Sequence, residues 1–95
     1  MPLALVIHDL PAGSAAARAM VDAIYEIAAE HWPLTNGALL AVTGVSPGYL
    51  RAHLLRAVAA LGGPAGLLLV TRLDPDAAWS GLPAAGAGWV QASLE

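Results

Sequence analysis

Residues 30–42 read EHWPLTNGALLAV, and the number of strands in this stretch decides the fold. Trp32-Pro33 stops a helix, because the residue before a proline is pushed out of helical geometry. Asn36-Gly37 is a turn dipeptide. Ala38 to Val42 is a short apolar strand. One strand is thus legible between two helices. A plan with a β-hairpin at this point is set aside on that ground.

Working outward, the helix before Pro33 spans Ala15 to about His31. Met20, Ile24, Ile27 and His31 recur at spacings of three and four, and Arg18, Asp22, Glu26 and Glu30 share the opposite face. Pro11-Ala12-Gly13 makes the turn before it, with Ser14 as N-cap. Leu3 to Ile7 is an aliphatic run ending in His8-Asp9 and reads as a buried strand.

Beyond Val42, Ser46 caps a second helix and Pro47 takes its first position, where a missing N–H costs nothing. Leu50, Leu54, Val58 and Leu61 form its buried stripe. Gly62, Gly63 and Pro64 end it. Leu67 to Thr71 is the third strand. Residues 74–88 read as a loop, with one helical turn at Asp76 to Ser80. Trp89 to Glu95 alternates, with Val90, Ala92 and Leu94 on one side, and reads as a half-buried edge strand.

Alternating strands and helices imply parallel strands joined by right-handed crossovers. The expected fold is therefore a single α/β domain over residues 1–95, a βαβαβ(β) chain. It has a three-stranded parallel core, helices packed on the sheet and a C-terminal edge strand.

Composition narrows the function classes. The chain has 95 residues, 58% hydrophobic and 12% charged, with a net charge of −3. It has four Arg and no Lys, so it lacks the basic footprint of a nucleic-acid binder. Without Cys it has no disulfide or thiolate chemistry. The N-terminal apolar run lacks a basic flank and is too short for a signal peptide. No apolar run is long enough for a bilayer span. The expectation is a cytoplasmic protein with no membrane or nucleic-acid partner, no metal and no cofactor. The apolar surplus on so small a chain points to a homodimer.

A parallel core would bring its strand ends to one rim, where open α/β sheets bind ligands. That rim would receive His8 and Asp9, then Thr43, Gly44 and Ser46, then Arg72 and Asp74. A helix N-terminus with neighbouring glycines suits a small anion. Strand ends are polar in any case, because loops meet water. Gly44-x-Ser46-x-Gly48 matches the spacing of a nucleophile elbow. The oxyanion hole there needs the N–H of the residue after the serine, and Pro47 has none. Ser46 is therefore read as a cap. His8 and Asp9 are adjacent in a strand and point to opposite faces, so they form no dyad. Interface candidates are Trp89 and Gln91 on the outer face of the C-terminal strand, and Leu55 on a flank of the second helix beside Arg51.

Strand, Ser46-x-Gly48 loop, helix, Gly62-Gly63 and strand over residues 38–72 resemble part of a STAS-type regulatory domain. The resemblance implies regulation by phosphorylation of Ser46 at the helix start. The family's Asp-Ser-Ser-Gly pattern is absent, Pro47 intrudes and the preceding hairpin is missing. The function expected from the sequence is a homo-oligomeric binding or protein-interaction module without catalytic activity. The alternatives are a small-anion or phospho-metabolite binding protein or enzyme using the rim, and a STAS-like regulatory module.

Overall fold

The structure is a computed structural model and describes residues 3–35, 37–61 and 66–94. In chain order the elements are β1 (Leu3–His8), α1 (Ala15–Ile27), β2 (Glu30–Thr35), β3 (Ala38–Val42), α2 (Pro47–Ala59), β4 (Leu68–Arg72) and α3 (Ala84–Leu94). The four strands form one sheet in the order β2-β3-β1-β4. Every neighbouring pair is antiparallel. This overturns the parallel three-stranded core.

The reason lies in residues 30–35. The first helix ends at Ile27, where the N–H of the cap residue Ala28 still donates to the Ile24 carbonyl. Glu30 to Thr35 then runs as a strand along β3, with Trp32 opposite Leu40 and Pro33 opposite Leu39. Proline is admissible there because β2 is an edge strand. The His31 spacing that continues the helical stripe is coincidental, since its ring meets Tyr25 edge-on at 4.5 Å from β2 instead. With β2 present, the β1 to β4 chain is βαββαβ, the ferredoxin-like plan.

The Ser14 and Ser46 caps hold. Their side chains accept from the N–H groups of Ala17 and Tyr49, each at 3.1 Å. The glycine-proline stop at 62–64 lies outside the described residues.

Strand alternation sends Ala4, Val6, Leu39 and Ala41 to one face. There they pack with Met20, Ala23 and Ile24 of α1 and Leu50, Leu54 and Val58 of α2. Each large side chain buried in this layer contributes about 1.5–3 kcal/mol. The other face carries Leu3, Leu40 and Val42, and these pack on Val90 of α3.

Residues 84–94 are thus a helix and not an edge strand. Val90, Ala92 and Leu94 fit an alternation, but Gly86, Val90 and Ser93 are the buried set. Their spacing of four and three is helical. The small residues at 86 and 93 hid that stripe from a search for large apolar side chains. Gly86 is small for a reason, because a Cβ there would approach the Trp32 ring to 2.7 Å.

Gly37 turns the chain between β2 and β3 with φ 88°. A Cβ there would collide with the His8 carbonyl. Gly44 has open space around it. Gly37→Ala is therefore expected to lower stability by at least about 2 kcal/mol, from the left-handed backbone and the clash together. Gly44→Ala should stay within about 0.5 kcal/mol of the parent. Urea unfolding of the two variants checks the contrast.

Candidate functional site

An antiparallel sheet divides the expected rim in two. In the β1–β3 register Leu3 lies opposite Val42 and Ile7 opposite Ala38. In the β1–β4 register Ala4 lies opposite Arg72 and His8 opposite Leu68. His8 and Asp9 therefore sit at one end of the sheet. Thr43, Gly44, Ser46, Arg72 and Asp74 sit at the other. The length of β1 separates the two groups by about 17 Å. A site joining His8 to Ser46 or Arg72 does not exist.

At the first end, His8 is held by the backbone. Its N–H donates to the Gly37 carbonyl at 2.7 Å, and its Nδ1 accepts from the Leu10 N–H at 3.1 Å. The Asp9 carboxylate packs so close to Gly66 that a Cβ there would strike it.

At the second end, two of the sequence-predicted residues, Arg72 and Thr43, bond to each other. Arg72 Nη1 donates to the Thr43 carbonyl at 3.2 Å, and Nη2 to the Val45 carbonyl at 3.0 Å. Thr43 is buried and donates its hydroxyl to the Ile27 carbonyl at 2.9 Å. The same hydroxyl accepts from the Val45 N–H at 3.3 Å. Asp74 Oδ1 accepts from the Asp76 N–H at 2.8 Å, a side-chain-closed turn. The guanidinium, the strand end and the helix entry form a brace. Thr43 ties α1 to β3, and Arg72 ties β4 to the loop that opens α2.

A histidine of α2 meets α1 within the chain. His53 Nε2 lies 3.1 Å from the Ala23 carbonyl and 3.2 Å from Glu26 Oε1, which links α2 to α1. Among the described residues no group of three His, Asp or Glu side chains is placed to hold a metal ion. No helix there is long and apolar enough to cross a membrane.

The interface candidates land differently from their expected places. Trp89 lies on α3, stacks on Trp32 with centroids 6.1 Å apart, and donates from Nε1 to Glu30 Oε2 at 3.2 Å. It joins α3 to β2 inside the chain. Gln91 is exposed on α3, and Leu55 is half-buried on α2.

Two features escaped the sequence reading. One is an apolar cavity of about 350 Å³ between the sheet and residues 77–82, lined by Leu5, Leu40, Leu73, Trp79, Leu82 and Val90. Its cover is the AAWSGL segment of the loop before α3, which carries no periodic signal. The other is the edge position of β4, where Leu67 and Leu69 are 55% and 47% exposed. The third strand, Leu67 to Thr71, carries no sequence signal that marks it as an edge, because Leu67 to Val70 are all apolar.

Comparison of the chain with family models, with curated proteins and with solved structures finds no match.

Arg72→Ala removes both bonds of the brace and is expected to cost about 1–3 kcal/mol. Ser46→Ala removes the α2 cap and should cost about 1 kcal/mol, with Ser46→Asp recovering most of it. Melting curves recorded with and without inorganic phosphate check both. If the residues act as a brace, the losses are the same in either buffer. If they hold an anion, phosphate stabilises the parent and not Arg72→Ala.

Proposed function

We propose that this chain is a cytoplasmic, non-catalytic interaction module that works as a homo-oligomer. The observation that carries this reading is the contrast between the two edges of its sheet. Unpaired strand edges are templates for another strand, and folded proteins normally blunt them. The β2 edge is blunted. It contains Pro33, which has no N–H to offer, and its pairing shifts register between Pro33 and Thr35. It also carries Glu30 and a run of exposed residues.

The β4 edge has none of these devices. Leu68 to Arg72 contains no proline and no bulge against β1. Its single charge, Arg72, is drawn back onto the Thr43 and Val45 carbonyls. Leu67 and Leu69 stand exposed beside it. An open, largely apolar edge whose one charge is held on its own loop supports association by strand addition. Thr43, Ser46 and Arg72 support a structural role in the same way, because their side chains bond to the chain's own backbone.

Sedimentation equilibrium at micromolar concentration should give twice the chain mass of 9.6 kDa. Leu69→Glu places a charge on the exposed side chain without touching the core. It is expected to raise the dissociation constant at least about tenfold, equivalent to 1.4 kcal/mol, with the circular dichroism of the fold unchanged. A parent protein that sediments as a monomer overturns the reading.

A further inference from the structure

We propose that β4 pairs with β4 of a second copy in one register, antiparallel about a two-fold axis through Val70. The two four-stranded sheets then become one continuous sheet of eight strands. This inference rests on the self-association proposed above and specifies its geometry.

The backbone determines the register. The Leu73 N–H donates to the Leu3 carbonyl at 2.8 Å. With Ala4 opposite Arg72, that bond makes 3/73, 5/71 and 7/69 the pairs that exchange hydrogen bonds across β1 and β4. The N–H and C=O groups of Leu68, Val70 and Arg72 therefore point the other way, off the open edge. Three outward residues form a set that is self-complementary about its middle member. Val70 meets Val70 of the second copy, and Leu68 meets Arg72 in both directions. Each outward donor then faces an outward acceptor, and none is left over within the strand.

The side chains agree with this pairing. Leu69 comes opposite Thr71 of the second copy in a pair that exchanges no hydrogen bonds, where Cα atoms approach to about 4.5 Å. Both residues are exposed in the single chain. The Thr71 hydroxyl donates to the Arg72 carbonyl at 3.4 Å, and the second lone pair of that oxygen is left for the new strand. Side chains directly opposite on one face of such a pair are in contact, and neither carries a charge that would oppose it.

A two-fold axis normal to the sheet keeps both α2 helices on the same face. His53 faces Ala23 of α1. Leu55 lies two residues on, about 200° around the helix. The flank carrying Arg51 and Leu55 thus borders the second α2 and gives the half-buried Leu55 an apolar neighbour.

The alternative head-to-tail contact, β4 of one copy on β2 of the next, would not close and would grow into filaments. Pro33 and the irregular register of β2 obstruct it. The two-fold pair is the arrangement that leaves only blunted edges outside.

The chain has no cysteine, so cross-linking reads the register without background. Leu69→Cys and Thr71→Cys are made as separate chains, mixed, and mildly oxidised. The mixture is expected to form the 69–71 disulfide at least about tenfold faster than either chain alone forms a disulfide, because proximity raises the effective concentration. Sedimentation of the parent and of each reduced variant accompanies it. A dimeric parent whose mixed chains cross-link no faster than the separate ones overturns the register and leaves self-association standing. A monomeric parent overturns both.

Discussion

The hairpin between β2 and β3 is the constraint on which the remaining architecture depends. It turns at a residue with φ 88°, directly against the His8 backbone. The His8 N–H closes onto the Gly37 carbonyl at 2.7 Å, so the turn is bonded to β1 as well as joining its own two strands. Once β2 lies along β3, β3 must run against β1, and the second helix returns the chain to the free side of β1 as β4. Direction, order and the identity of both edges follow from one glycine and its neighbour across the sheet.

The second consequence is the use of the far sheet face. In a βαββαβ plan both connecting helices lie on one side. Here α1 and α2 cover that side, and Leu3, Leu40 and Val42 on the other would face water. The C-terminal helix covers them in part. It is fixed over β2 and β3 by Gly86 against the Trp32 ring, by the Trp32–Trp89 stack, and by the Trp89 bond to Glu30. That docking is off-centre. It hides one end of the sheet and leaves Leu69 and Thr71 of β4 open.

Much of the local structure was legible in the residues. Both helix starts, the runs of β1, β3 and β4, and the α2 stripe are strong local patterns, and the caps at Ser14 and Ser46 followed from side-chain chemistry. The errors share a cause. β2 is an edge strand with only His31 and Trp32 part-buried, so it has no apolar run to announce it. Its proline looked like a helix stop, which is a correct local inference with the wrong continuation. In α3, short residues on the buried side left Val90, Ala92 and Leu94 to suggest a period of two. Strand direction is a long-range property, and one missed strand reversed it. The single rim divided with it, because His8 lies at the opposite end of the sheet from Thr43 and Arg72. What holds Arg72 beside Thr43 is the Thr43 and Val45 carbonyls.

Composition alone also misstated where the apolar surplus goes. A 58% hydrophobic chain of 95 residues seemed to need a partner to cover it. Three layers absorb much of that surplus, because a sheet covered on both faces buries alternate residues in both directions. The argument for association therefore moves from quantity to place. Tyr25 and Tyr49 are exposed singly on helices, which is ordinary for amphipathic side chains. Leu67 and Leu69 differ because they flank the outward-pointing backbone groups of an open sheet edge. Apolar side chains alone would give an adhesive surface with no preferred register. Coupled to a row of outward N–H and C=O groups, they give the proposed pairing a direction and a register, and in that proposal the blunted β2 edge is what would stop growth at two copies.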